Sequence, residues 1–377
     1  MKRLVLVGAG HAHARVLADW VEAPVPGAEL CIVSPSPLAP YSGMVPGWLA
    51  GHYDFNEICI DFAALAETGG VRLVIDEVTG LDPERRTLAL RSGQQLGYDV
   101  LSLNVGSTLA PPRVPGARIV ALRPLGELHA SWDGVLAELA ALPPARALRV
   151  AAVGGGAAGV ESLLAVRHRL LQMQPNRSVL ATLVSRSTAL LPGMARGAVE
   201  SMRRTLVDAG VAFRLGADFD AGIAHDNDLV LWATGAQAHA WQAECGLAVS
   251  EAGFIRIDAQ LRSVSHANVY AAGDCAEWAE PLPKAGVFAV KMSPVLAHNL
   301  RAALVGTAPI AYTPQRRFLA LLATGDRRAV ASWGRWSAHG AWVWRWKDRI
   351  DRRFLKRFAV PAGSHVPIKT TTQEDVA

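Results

Sequence analysis

Cysteine is scarce in this 377-residue chain. Cys31, Cys59, Cys245 and Cys275 are the four, and no two form a Cys-x-x-Cys or a close pair. That excludes a disulfide scaffold and a zinc ribbon, and a reducing cytoplasm fits best. Long apolar runs are missing as well: no stretch of about 18 uninterrupted apolar residues exists, so no membrane-spanning helix is expected. The opening MKRLVLVGAG starts like a secretion signal, but Gly8-Ala9-Gly10 cuts the apolar run short. No small-residue cleavage site follows, so a buried strand from Leu4 to Val7 is the better reading.

Charge is sparse, at 19% of residues against 51% hydrophobic, which suits a large core and argues against disorder over most of the chain. The length suits roughly two to three domains. The net charge of +5 is local. Between Arg345 and Arg357 stand seven basic residues and two acids, and seven minus two is the whole excess. The rest of the chain is near neutral.

What the sequence does have is glycine in two telling places. LVLVGAGHAHARVL places Gly8 and Gly10 between an apolar run and a helix-forming segment. This is the start of G-x-G-x-x-G, the phosphate-cradling turn, but His13 stands where the third glycine belongs and His11 precedes it. LRVAAVGGGAAGVE carries the full pattern in Gly154, Gly156 and Gly159. The first glycine makes the turn, the second lets backbone N–H groups approach a pyrophosphate, and the third lets helix and strand pack closely. Two such loops imply two dinucleotides or an internal duplication. His11 and His13 stand two apart, so on a helix they project about 200° from each other and cannot share one metal. No metal is expected. His13 either fills the gap of the missing glycine or pushes its helix outward.

YDVLSLNVGS, DLVLWATGA and NVYAAGDCAE each read as a strand ending in a glycine turn, at Gly106, Gly235 and Gly273. The order of loop, Asn-Val-Gly-Ser, loop, Ala-Thr-Gly and Gly-Asp resembles the two-dinucleotide-binding flavoproteins of the pyridine nucleotide-disulfide oxidoreductase superfamily. The resemblance spans roughly residues 1–325. It implies an α/β fold of two Rossmann-like domains, FAD on the first loop and NADH or NADPH on the second. Gly8, Gly10 and His13 would line the FAD pyrophosphate, with His11 as a donor to it or as an ordinary polar residue at the helix start. Asp274 would bond the ribityl chain, and Gly154, Gly156 and Gly159 would take the nicotinamide dinucleotide. Glu161 matches the acid that faces the nicotinamide, or it merely complements the helix dipole. PYSGMVPGWLAGHYDFNEICIDF and FLALLATGDRRAVASWG resemble most the type II NADH dehydrogenases and the flavoprotein fused to selenide, water dikinase.

Three departures stand out. Ser34 and Ser185-Arg186 replace the acids that would bind a ribose 2′-OH at the two strand ends. The missing acid and Arg186 lean toward a 2′-phosphate, hence NADPH. The first glycine turn reads Asn-Val-Gly. The redox cysteine pair is absent, and Tyr41, Met44 and Pro46 occupy its region, where the resemblance implies the acceptor side of the flavin. Electrons therefore do not leave through a disulfide, which argues against glutathione-type reductases and weakens sulfide:quinone chemistry. Cys275, beside Asp274, reads as packing. Ser293 and Pro294 suggest an N-cap and N1 proline for a helix from Val295 to Leu304, whose positive end would face the flavin. Lys291, just before it, either supports the flavin or bonds a carbonyl, and Lys284 lies nearby.

The remaining expectations follow from this frame. A FAD domain spans 1–120 and 255–325, a nicotinamide domain is inserted at 121–254 after APPRVPG, and 326–377 is a C-terminal extension. In that extension Trp342, Trp346, Ile350, Phe354 and Phe358 form a helical stripe amid basic residues, over 341–358. It suits a membrane interface with anionic lipid, on the inner face, or packing on the protein itself or on a second copy in a homodimer. No motif accompanies it that would suit nucleic acid. The polar end, 361–377, reads as disordered. The leading function is oxidation of NAD(P)H through FAD with a quinone-like acceptor. A reductase in selenium or sulfur metabolism and a non-catalytic cofactor-binding sensor remain as alternatives.

Overall fold

The computed structural model describes residues 1–360, so the polar end at 361–377 lies outside the described residues. Two five-stranded parallel sheets carry the fold. In the first, the order is Val269–Ala271, Val100–Leu103, Lys2–Val7, Ala28–Ser34, Arg72–Ile75. In the second, it is Ile119–Ala121, Leu229–Trp232, Leu148–Val153, Val179–Ser185, Val211–Leu215. Each central strand is one that runs into a glycine loop. Leu4 to Val7 and Val150 to Val153 are buried throughout, as strands covered on both faces must be. This is the doubly wound α/β fold, built twice, with nucleotide crevices at the carboxyl ends of the strands.

The helices follow the loops. His11–Glu22 leaves the first loop and Ala157–Met173 the second. A 20-residue helix, Gly286–Val305, packs on the first sheet beside His11–Glu22. It corrects the expected start at Val295: Pro294 lies inside the helix, and Ser293 is no cap. A proline there cannot donate to the carbonyl four residues back. Ser293 Oγ donates to that carbonyl, Val290 O, at 2.8 Å, so no acceptor is stranded. The helix ends at Gly306, whose φ of 81° supplies the left-handed cap.

The chain closes with a three-stranded antiparallel sheet, Ala320–Ala323, Ala329–Trp333 and Trp336–Gly340, and a terminal helix, Ala341–Leu355. The expected stripe on that helix is split. Its buried face is Val343, Lys347, Asp351 and Phe354, continued by Phe358, whereas Trp342 and Ile350 are exposed. A period of four drifts around a helix of 3.6 residues per turn, so one five-member stripe cannot stay on one face. Among the described residues, no helix is long and apolar enough to cross a membrane.

Candidate active site

The first glycine loop is held by two side chains. Gly8 has φ +91°, and a Cβ there would lie 2.6 Å from Asn104 O, so only glycine fits. Gly10, the N-cap of His11–Glu22, would meet Asn104 Oδ1 at 2.0 Å. That Oδ1 accepts the Ala12 N–H at 3.0 Å, and Asn104 Nδ2 donates to Ala272 O at 2.6 Å. The Asn-Val-Gly turn is thus a clamp between the loop helix and the strand leading to Gly273-Asp274. Gly106 (φ +72°) and Gly273 (φ +74°) make the flanking turns.

His13 fills the gap left by the missing glycine. It is fully buried, with Nδ1 2.7 Å from Gly8 O and Nε2 2.8 Å from Ser102 Oγ. Burial pushes its pKa down to about 4, so the ring is neutral. A carbonyl only accepts, so Nδ1 carries the proton and Nε2 accepts from Ser102. Both ring nitrogens of His13 are thus bonded to the protein itself.

His11 faces the other way. It packs edge-on against Tyr41 with ring centres 5.3 Å apart, and Phe354 lies at 6.1 Å. Its Nε2 is buried without a partner, and burial holds its pKa near 4, with Arg123 lowering and Asp274 raising it. Asp274 is gripped by Arg123 Nη1 at 2.5 Å, which also donates to Ser107 Oγ at 2.6 Å. The N-terminus of Gly286–Val305 closes the group: a Cβ on Gly286 would lie 2.9 Å from Ser42 Oγ and 4.0 Å from the His11 ring. Two helix N-termini, a neutral imidazole with a free nitrogen and a fixed aspartate thus converge at the carboxyl ends of the first sheet. Helix N-termini favour anions. Lys291 is exposed on the second of these helices. Lys284 is half-buried, donates to Ala276 O at 2.7 Å and sits 3.7 Å over the Phe254 ring.

Of the residues expected on the acceptor side, Met44 and Pro46 are buried, Met44 in the core around the second sheet. Tyr41 alone joins the cluster, its ring tilted against Phe354 with centres 4.6 Å apart. Its hydroxyl is bonded to Asp351, and its pKa is raised, by burial first and by Asp351 next. Asp351 and Lys347 form a buried ion pair at 2.5 Å, and Lys347 Nζ also donates to Gly43 O. In the sequence both are simply part of the basic segment 345–357. Their i, i+4 spacing was the one available signal.

The second loop needs no such clamp. A Cβ on Gly154 would lie 2.2 Å from Ala233 O, and one on Gly159 2.0 Å from Gly154 O, so helix and strand touch directly. Gly156 and Gly235 have nothing within 4 Å of a Cβ. Ser185 closes its strand and accepts the Ser187 N–H at 3.2 Å, and Arg186 beyond it is exposed. Ser34, at the matching end of the first sheet, is buried and donates to Ser36 O at 2.8 Å. Glu161 is buried, not an exposed first-turn acid. Its Oε1 accepts the Ala323 N–H at 2.7 Å, and burial raises its pKa to about 7 against the pull of nearby Lys347. Cys275 is a buried thiol pushed up to about 11 by burial, which makes it inert packing.

The residues fit FAD on this structure's own terms: an orphaned buried nitrogen, a glycine cradle without a side-chain cap and a fixed aspartate lie together at the carboxyl ends of the first sheet. Comparison with known proteins agrees. An NADH dehydrogenase-like protein of Mycobacterium tuberculosis (strain CDC 1551 / Oshkosh) is 26% identical over 303 residues, covering 73% of each chain. Demethylphylloquinone reductase NdbB of Synechocystis sp. is 27% identical over 292 residues, covering 70% of each. The sulfide:quinone oxidoreductase of Aquifex aeolicus shares the fold, with a TM-score of 0.76 at 14% identity over 95% of this chain and 91% of that one. The model of the pyridine nucleotide-disulphide oxidoreductases matches residues 2–300, and this chain belongs to that family of FAD-dependent NAD(P)H oxidoreductases.

Proposed function

We propose that this enzyme passes electrons from NAD(P)H through FAD to a quinone, with no protein disulfide in the path. The observation that carries the reading is the side-chain cluster at His11. It joins two helix N-termini to an aromatic wall of Tyr41 and Phe354, and no cysteine pair faces it. Bound FAD would supply the hydride acceptor and the one- and two-electron chemistry. The chain's own residues do the rest. Gly8 makes the turn, its own N–H donated to Val33 O, while Gly10 and His11 offer backbone N–H groups to the pyrophosphate, and Ser34 stands at the adenosine ribose. Asp274, held by Arg123, fixes the ribityl chain. The N-terminus at Gly286 and the neutral His11 favour negative charge on a reduced ring. Gly154, Gly156 and Gly159 cradle the nicotinamide dinucleotide, with Arg186 beside its adenosine ribose. Glu161, half-protonated near neutral pH, holds a proton next to the Lys347–Asp351 pair.

The likeness to a demethylphylloquinone reductase supports a quinone acceptor. The strands of the second sheet support an inserted nicotinamide domain at 121–254, within a FAD domain of 1–120 and 255–325. The exposed Trp342, Ile350, Arg345 and Arg349 support contact between the terminal helix and an anionic membrane surface. Because Phe354 and Lys347 are buried, deleting the helix would damage the core, so Trp342→Gln with Ile350→Gln is the right probe. Loss of liposome sedimentation is expected, and unchanged sedimentation would remove the membrane role. The activity is tested by following flavin absorbance anaerobically during addition of NADH or NADPH, then of a soluble quinone. Rapid bleaching by one nucleotide and recovery by quinone is expected. Bleaching without recovery would discard the quinone, and flavin that stays oxidised would discard the whole reading.

A further inference from the structure

Along the C-terminal half of Ala157–Met173 lies a cationic cleft that the redox reading does not use. It is a cavity of about 370 Å³ lined by His52, His168, Arg169, Gln172, Asp326 and Arg327. A second, of about 410 Å³, adjoins it at His168 and Asp326 and adds Arg167, Arg328 and His339. Across both clefts four arginines face two acids, Asp208 and Asp326. Arg169 lies twelve residues beyond Ala157, where its helix begins. That is roughly 18 Å along the axis at 1.5 Å per residue, too far for the dinucleotide pyrophosphate.

Two of these cations, Arg167 and Arg169, lack acceptors, whereas Arg327 is exposed. Arg169 makes no side-chain hydrogen bond or ion pair among the described residues. Gly51, with φ +78°, leaves it room, since a Cβ there would lie 2.1 Å from its Nη1. Arg167 Nε is buried with no acceptor. Arg327 is held over the Trp344 ring at 5.7 Å, and its Nε reaches His52 Nδ1 at 3.4 Å. His52 Nε2 is fixed on Gly325 O at 2.8 Å, and its ring lies 5.2 Å from that of His168. Asp326 already accepts Thr324 Oγ1 at 2.6 Å. Buried donors without acceptors are rare in folded proteins, and guanidinium groups with imidazoles beside them match the oxygens of a tetrahedral anion.

We propose that this cleft binds a tetrahedral oxyanion of the phosphate or sulfate class, free or as the ester group of a small molecule. Arg169 and Arg327 are its principal donors, with His168 between them. The segment from Ala323 to Arg328 forms one wall of the cleft and also donates the Ala323 N–H to Glu161, so an occupant rests against the support of the active-site acid. The site does not depend on the identity of the electron acceptor.

The test is calorimetric titration of the FAD-loaded protein, saturated with NAD⁺ and NADP⁺ in turn, at constant ionic strength set with chloride. Inorganic phosphate, sulfate and glycerol phosphate are the probes. Saturable binding of one anion per chain is expected, unaffected by either dinucleotide and weakened at least tenfold by Arg169→Met and by Arg327→Met separately. Tighter binding of glycerol phosphate would assign an ester, and tighter binding of an inorganic ion a free oxyanion; either upholds the site. Absence of saturable binding, binding abolished by a dinucleotide, or binding unchanged in both variants would each overturn it. Thermal unfolding of both variants checks that they remain folded.

Discussion

The two glycine loops of this chain perform the same turn with opposite chemistry. In the second, Gly159 and Ala233 let backbone meet backbone, and the contact is steric. In the first, His13 and Asn104 occupy the matching places, and the contact is a set of hydrogen bonds to Gly8 O, Ser102, Ala12 N–H and Ala272 O. The parent strands are otherwise alike: Asn104 N–H donates to Val7 O and Ala233 N–H to Val153 O, each at 2.9 Å. Direct packing tolerates no added atom but has no titratable part. The imidazole version accepts a bulky residue, at the cost of requiring that residue to stay neutral.

The comparison breaks most severely at Gly159. In Gly159→Val the new side chain meets Gly154 O and cannot shift without moving the loop. A loss of at least 100-fold in the rate of flavin reduction by NAD(P)H is expected, with FAD retained, measured by stopped-flow absorbance. Restoring the common glycine in the first loop does not help. His13→Gly empties a fully buried site and strands Ser102, so a loss of about 3–5 kcal/mol in unfolding free energy is expected. A variant as stable as the parent would mean that His13 carries no load.

Acid should distinguish the loops as well. His13 titrates near 4 when folded against an ordinary 6.5. Its folded pKa is lowered, so the unfolded chain binds the extra proton. Stability from this group is complete above about pH 6.5 and is lost as pH falls toward 4. Between pH 7 and pH 5 that amounts to about 2 kcal/mol. Denaturant midpoints at both pH values, for the parent and for His13→Gln, give the difference. His11 shares the window and keeps its own slope in both proteins. An unaltered difference in His13→Gln would place the acid sensitivity elsewhere.

The middle glycines sharpen the contrast. Gly156 has open space around a Cβ, whereas Gly10 has the Asn104 amide. Gly156→Ala should leave unfolding unchanged to within about 0.5 kcal/mol and raise KM for the nicotinamide nucleotide, because the space is the ligand's. Gly10→Ala should destabilise the fold by about 1–3 kcal/mol even before FAD is considered. Equal unfolding effects would refute this division of roles.

Much of this fold was legible because its signals are local. Val-rich runs ending in glycine turns mark parallel strands, and both sheets follow from them. The helix at Gly286 was misread because a proline and a preceding serine are also a local start signal. Only the Ser293 bond to Val290 O reveals how the helix continues through them. Asn104 and Arg123 act across the chain, on Ala272 and on Asp274, and nothing near them in sequence announces those partners. Lys347 and Asp351 were the hardest to read. A charged pair among arginines looks solvated until tertiary packing closes Tyr41 and Gly43 over it.

The smallest expected effect lies at the strand ends, where both loops lack the ribose-binding acid. Ser34 is turned inward onto Ser36 O, so at that end the departure is absorbed by the protein's own turn. Ser185 likewise serves its own turn, but Arg186 follows it with its side chain in solvent and no partner among the described residues. An exposed arginine meeting a phosphate ester contributes modestly, because solvent screens it. Arg186→Ala should therefore lower kcat/KM for NADPH roughly fivefold and leave that for NADH within about twofold, equivalent to about 1 kcal/mol. Steady-state kinetics with both nucleotides decides it. An equal fall for the two would make Arg186 a general electrostatic contributor. A selective fall would make this strand end, unlike its counterpart at Ser34, a point where the chain distinguishes its ligand.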